Sequence, residues 1–278
     1  MDKREQRSIL ARETVAIAAR GHYITDGLEV DIRDDIASSV KRTESIYEKK
    51  TARLEQDFAP HPGAVKYELR NESTLAAILR LQAPEDSPLG VLNFASAKNP
   101  GGGFLNGSMA QEESLAVASN LYRSLQPYWD IYDINRDCGT FCYTDNAIWS
   151  PDVVFFRNDA GTLLCAPAKA SVLTLPAVNY GQVLLKGENP EQAKVAMKRR
   201  MKIALAIFAE KGCKTIILGA YGCGVFRNDP SDVANWWYEL LTEYGGHFDK
   251  VVFSILDRSK DRECLSAFER KWGKTDNG

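Results

Sequence analysis

Two adjacent carboxyl groups, Glu112 and Glu113, follow Gln111 at the point where a helical apolar pattern begins, after a seven-residue spacer from the triplet Gly101-Gly102-Gly103. Paired carboxyl groups can give and take protons at a reacting oxygen. Consecutive glycines let the backbone come close to a ligand and expose N–H groups to oxygen-rich partners. Each half has a plainer explanation. Glycine triplets are often turns, and acidic residues favour helix N-termini through the dipole by about 0.3–1 kcal/mol. What favours chemistry is the two together, placed after a strand.

A second cluster lies at 219–230, reading Gly-Ala-Tyr-Gly-Cys-Gly-Val-Phe-Arg-Asn-Asp-Pro. Gly219, Gly222 and Gly224 fit a loop whose amides wrap a phosphate, and the helix that follows adds positive potential at its N-terminus. Tyr221, Cys223, Val225 and Phe226 share this loop, and Phe226 is either core or a platform for a sugar or base. Arg227 either reaches a phosphate or pairs with Asp229.

These clusters need elements to hold them. Apolar spacing predicts an amphipathic helix ending at Gly21, a hairpin over 22–32 turning at Asp26-Gly27, and a charged helix over 34–50. The Pro- and Gly-rich segment 58–63 is a connector. Beyond it, strands are expected over 65–69, 90–95, 152–157, 171–175, 214–218 and 250–256. Helices are expected over 73–81, 111–125, 190–211, 229–244 and 261–272. Such alternation argues for an α/β sandwich around a buried, mostly parallel sheet. Ligands of such sheets bind at the carboxyl ends of the strands. Both glycine loops leave strands, after Ala95 and after Leu218, so both are expected at one end.

The 278 residues carry a formal net charge of −2, which argues against a general nucleic-acid binder and against sequence-specific recognition of DNA or RNA. No apolar run is long enough to cross a membrane and no signal-peptide core follows the N-terminus, so a cytoplasmic location is expected. The six cysteines are scattered, as in reduced intracellular proteins. Cys138 and Cys142 lack the further ligands of a zinc site, and no metal is expected. His22, His61 and His247 share no spacing with a nucleophile or a metal partner. Trp236-Trp237 reads as helix packing.

The Gly-Gly-Gly, seven-residue spacer, Gln-Glu-Glu pattern, preceded by Val91-Leu-Asn-Phe-Ala-Ser-Ala-Lys-Asn-Pro, resembles the microbial poly(ADP-ribose) glycohydrolases of the macrodomain superfamily. The resemblance implies a three-layer α/β/α sandwich with a mixed, mostly parallel central sheet. Residues 63–278 would form the catalytic domain, with 1–62 a largely helical extension packed on it. It implies hydrolysis of ribose–ribose bonds in poly(ADP-ribose), releasing ADP-ribose without a cofactor. In that scheme Glu113 is the general acid and base, Glu112 binds ribose hydroxyls, and Asn99 binds the distal ribose. Gln111 and the loop of Gly101, Gly102 and Gly103 lie against substrate, as do Gly219, Tyr221, Gly222, Cys223, Gly224, Val225 and Phe226. Val225-Phe226 on the terminal ribose implies cleavage mainly from chain ends. A second carboxylate for the usual two-acid scheme is missing, and the substrate diphosphate would stabilise the sugar cation instead. Implied partners are poly(ADP-ribose), ADP-ribose and ADP-ribosylated proteins, in the setting of the DNA damage response. Two other readings stay open: a hydrolase of mono-ADP-ribosylated protein or nucleic acid, and a non-catalytic ADP-ribose reader.

Overall fold

The structure is a computed structural model that describes residues 2–82 and 87–273. The first segment forms helix α1 (Lys3–Arg20), the hairpin β1 (His22–Thr25) and β2 (Leu28–Asp31), helix α2 (Arg33–Arg42), strand β3 (Glu44–Ile46) and helix α3 (Glu48–Asp57). The single helix expected over 34–50 is thus two helices with a strand between them. Ile46 is fully buried, and β3 pairs antiparallel with a later strand through Ile46↔Ala147, so sheet edge and core outweigh helix propensity here.

Next come β4 (Lys66–Arg70), α4 (Thr74–Leu81), β5 (Leu89–Ala95), α5 (Gln111–Ala118), α6 (Leu121–Leu125) and α7 (Trp129–Asp137). Ser73 caps α4, its Oγ accepting from Ala76 N at 2.9 Å. The helix expected over 111–125 is interrupted. Ser119 is extended and bridges to Phe155, and the buried Asn120 accepts from Val154 N at 2.7 Å. A buried polar pair claims backbone that the apolar spacing assigned to one helix. Helix α7 has no counterpart in the sequence reading.

The remainder is β6 (Ala147–Arg157), β7 (Leu163–Pro176), α8 (Tyr180–Lys186), α9 (Pro190–Glu210), β8 (Thr215–Leu218), α10 (Pro230–Tyr244), β9 (Lys250–Ser254) and α11 (Glu263–Trp272). β6 starts before the expected position, because Pro151 and Asp152 sit in a register shift inside the strand rather than at its start.

The seven-stranded sheet runs β3-β6-β7-β5-β8-β9-β4. β7, β5, β8, β9 and β4 are mutually parallel, and β6 is antiparallel to β7 and β3. One face packs on α9, α10 and α11 through Met201, Leu205, Trp237 and Phe268. The other packs on α4, α5 and α6 through Leu75, Leu115 and Leu121. That is the expected three-layer arrangement, with a mixed, mostly parallel sheet at its centre. β3 comes from the N-terminal segment and forms one edge of the sheet. Among the described residues, no helix is both long and apolar enough to cross a membrane.

Candidate active site

β5 and β8 are parallel neighbours, in register from Leu89↔Thr215 to Val91↔Ile217. The chain leaving Ala95 and the chain leaving Leu218 therefore emerge at the same end of the sheet. Between them lies a cavity of about 560 Å³, within the range of about 300–1,000 Å³ usual for small-molecule sites. One wall holds Asn99, Gly102, Gly103, Gln111, Glu112 and Glu113, and the other Gly222, Gly224, Val225 and Phe226.

Gln111 anchors the start of α5. β8 pairs with β5 only as far as Val91, which leaves the end of β5 without a strand partner on that side. The Gln111 amide takes its place: Nε2 donates to Leu92 O at 2.9 Å, and Oε1 accepts from Phe94 N at 2.9 Å. Nε2 also reaches Thr74 Oγ1 at 3.2 Å. Its polar atoms are all engaged with the scaffold, although the residue borders the cavity.

Glu112 is 3% exposed. Its Oε2 accepts from Ser96 N at 2.7 Å and its Oε1 from Asn93 Nδ2 at 3.3 Å. Burial pushes its carboxyl up to about 8; the charge of Glu113 acts in the same direction, and hydrogen bonds from Ser96, Asn93 and Gly101 oppose it. A carboxyl raised in this way favours its protonated form, which can donate to a sugar hydroxyl as well as accept from one.

Glu113 is half-buried at the cavity wall. Oε1 accepts from Gly103 N at 3.0 Å and Oε2 from Ala110 N at 2.9 Å. The second contact is the glutamate-to-N-cap half of a capping box. Ala110 has no side-chain oxygen to return it, so the glutamate carries the cap alone.

Gly102 has φ +59°, and a Cβ there would press into Glu113 Oε1 and stand 3.0 Å from Glu112 Oε2. The triplet is therefore a strip of backbone laid against both carboxyl groups, not a loose turn. Asn99 closes the turn, its carbonyl accepting from Gly102 N at 3.0 Å.

Across the cavity, Gly222 has φ +75°, and a Cβ there would collide with Ala177 and Asn228. Asn228, 4% exposed, clamps this loop by donating from Nδ2 to Val178 O at 2.8 Å and Gly222 O at 3.2 Å. Val225 is 79% exposed at the rim. Phe226 leans on Tyr143, ring centroids 6.2 Å apart. Tyr143 is held in turn by Arg200, which is 1% exposed and pairs with Asp145 at 2.9 Å while donating to the carbonyls of Cys142, Tyr143 and Pro176.

Four of the expected residues stand behind the walls instead of on them. Gly101, the first residue of the strip, packs against Phe104 and Tyr122. Gly219 O accepts from Trp237 Nε1 at 3.2 Å, and Tyr221 is fully buried with its hydroxyl on Leu175 O at 2.8 Å. Cys223 is hydrogen-bonded to the Cys264 thiol and packs on the core. Arg227 lies over Gly181, and Asp229 caps α10 by accepting from Ser231 N and Asp232 N.

The wall residues Phe94, Asn106 and Trp129, and the supports Asn93, Arg200 and Asn228, are not among the expected site residues. Asn228 follows the glycine loop directly, and a buried amide there is the one signal that could have pointed to it. Trp129 and Arg200 reach the site from helices whose own patterns say nothing of it.

A comparison with curated proteins finds no match. The family model described as the microbial-type PARG catalytic domain matches residues 11–158. The crystal structure of poly(ADP-ribose) glycohydrolase from Thermomonospora curvata is 38% identical with a TM-score of 0.91, covering 96% of this chain and 100% of that one. The same protein bound to the inhibitor ADP-HPD is 37% identical, with a TM-score of 0.90 and coverage of 96% and 99%. Poly(ADP-ribose) glycohydrolase from Deinococcus radiodurans in complex with ADP-ribose is 39% identical, with a TM-score of 0.81 and coverage of 87% and 98%. With the paired glutamates, the glycine strip and the facing loop all in place, this chain belongs to the microbial-type poly(ADP-ribose) glycohydrolase family.

Proposed function

We propose that this protein hydrolyses the ribose–ribose O-glycosidic bonds of poly(ADP-ribose), releasing ADP-ribose mainly from chain ends. The observation that carries this reading is the Gly102 backbone lying against Glu112 and Glu113 on one wall of a cavity whose other wall is a second glycine loop. One terminal ADP-ribose occupies the cavity, its diphosphate near the N–H groups of the loop at Gly222 and Gly224. Asn99 and Phe226 meet the distal ribose, and Glu112 holds its hydroxyls.

Glu113 gives its proton to the departing ribose oxygen as positive charge builds on the sugar, then takes a proton from the attacking water. The diphosphate offsets the developing cation. Val225 and Phe226 cap the terminal ribose, which favours the end of a chain over its interior. The free cysteines fit a reducing compartment, in keeping with a cytoplasmic location.

Product analysis tests this reading. Labelled poly(ADP-ribose) and a mono-ADP-ribosylated protein are incubated separately with enzyme. Shortened polymer with ADP-ribose as product is expected. Cleavage of the mono-modified protein alone identifies a different hydrolase, and intact polymer with persistent ADP-ribose binding identifies a reader.

A further inference from the structure

The Glu113 carboxyl closes a loop. Gly103 N and Ala110 N, which donate to its Oε1 and Oε2, stand at the two ends of the segment 103–110. The direction of the carboxyl is therefore set by where that segment puts its ends. A loop that carries Gly103 and Gly107 does not hold one shape unaided.

α1 supplies the hold. Within the segment, Phe104–Asn106 makes a short helical turn that uses the first two carbonyls. Gly103 O accepts from Asn106 N at 3.0 Å and Ser108 N at 3.1 Å, and Phe104 O from Gly107 N at 2.9 Å. The next three carbonyls are taken by side chains of α1. Ser8 Oγ donates to Leu105 O at 2.7 Å, Arg4 Nε to Asn106 O at 2.9 Å and Arg7 Nε to Gly107 O at 2.7 Å. Residues 4, 7 and 8 share one helix face by their i, i+3 and i+4 spacing. Gly107, at φ +73°, lets the α1 backbone itself come in, since a Cβ there would collide with Arg4 O. Phe104 packs with Ala11 of α1 and Ala116 of α5, and Thr14 Oγ1 donates to Val117 O at 2.6 Å. α1 thus grips both the loop that directs the carboxyl and the helix that carries it. The three donors precede residue 11, where the family match begins.

We propose that α1 positions the acid: Arg4, Arg7 and Ser8 hold the segment 103–110 so that Gly103 N and Ala110 N keep the Glu113 carboxyl directed at the departing oxygen. The assignment rests on the polymer-cleaving function proposed above, in which Glu113 gives the proton. It makes these three side chains positioning residues, acting through the loop and not on substrate. Loosening them leaves the facing loop of Gly222, Gly224 and Phe226 in place, so binding survives while proton transfer suffers.

The test compares Ser8→Ala, Ser8→Thr, Arg4→Ala and the triple variant Arg4→Ala/Arg7→Ala/Ser8→Ala with wild type. kcat and KM are measured on poly(ADP-ribose), Kd for ADP-ribose by calorimetry, and folding by thermal unfolding. Expected is a fall in kcat of about tenfold for the triple variant and about threefold for Ser8→Ala and for Arg4→Ala. KM and the Kd for ADP-ribose stay at the wild-type values, the split that marks a loss felt only in the transition state. Ser8→Thr keeps the hydroxyl and turns over at the wild-type rate. Alanine is the better helix former, so a merely structural role for α1 gives the opposite order of Ser8→Ala and Ser8→Thr, and that order overturns the assignment. A folded triple variant with wild-type kcat overturns it too, as does a rise in Kd that matches the loss in kcat. Should the triple variant not fold, Arg4→Ala, at an exposed position, decides by the same readings. If wild-type enzyme leaves polymer intact, the function itself falls and this assignment with it. Wild-type cleavage with unaffected variants removes the role of α1 alone.

Discussion

Gly102 lies so close to Glu113 that a methyl group on the glycine would displace the glutamate's Oε1. The same methyl would sit 3.0 Å from Glu112 Oε2, so one backbone position sets the place of both carboxyl groups. Gly102→Ala is therefore expected to cost activity far more than stability. Left-handed backbone at a non-glycine residue costs about 1–2 kcal/mol. A displacement of about 1 Å in a catalytic group costs about a hundredfold in rate. Polymer hydrolysis measured beside thermal unfolding checks this; a variant with near-wild-type turnover would show that the strip does not position Glu113.

Glu112 carries a pH signature. Burial raises its carboxyl from the ordinary 4.5 to about 8, so between those values the folded protein holds a proton that the unfolded chain releases. The stability tied to this group is fully present below about 4.5 and is lost as pH rises through about 8. Glu112→Gln cannot ionise and escapes that loss. The melting temperature of the variant minus that of wild type should grow from pH 5 to pH 8 and level off above it. A difference that is flat or shrinks with pH would mean that Glu112 is not held protonated.

Asn228 is expected to act on the loop at Gly222–Gly224, the proposed diphosphate site, from behind its wall. Its amide ties Val178 O to Gly222 O, and Asn228→Ala removes both contacts from a buried site, a loss of about 1–3 kcal/mol in stability. ADP-ribose affinity should fall by about tenfold as the Gly222–Gly224 amides lose their fixed direction. Calorimetry reads this directly, and unchanged affinity in a folded variant would show that the loop holds its shape unaided.

How much of this was legible in the residues differs between the fold and its supports. Parallel strands followed by glycine loops can be read locally, because apolar runs, glycines and caps such as Ser73 act within a few residues. The pairing of Glu112 with Glu113 was equally plain. What stayed hidden depends on distant partners. β3 is a strand because Ala147 and Trp149 lie beside it, and α5 stops at Ser119 because of Phe155 and Val154. The resemblance puts Gln111 against substrate, and the early end of the β5–β8 pairing adds that its amide stands in for a missing strand. Arg200 gives no signal in the sequence, since its role depends on the segment 142–145, which supplies Asp145 and two carbonyls, and on Pro176 O at the end of β7.

The central claim is that Glu113 donates the proton, and the most direct test is a gel of labelled poly(ADP-ribose) after incubation with wild type and Glu113→Gln, with ADP-ribose binding measured on both. The amide keeps the shape of the side chain but has no proton to give. Expected are ladder collapse to ADP-ribose with wild type, full-length polymer with the variant, and measurable ADP-ribose binding by both. Polymer shortened by Glu113→Gln at the wild-type rate would contradict it.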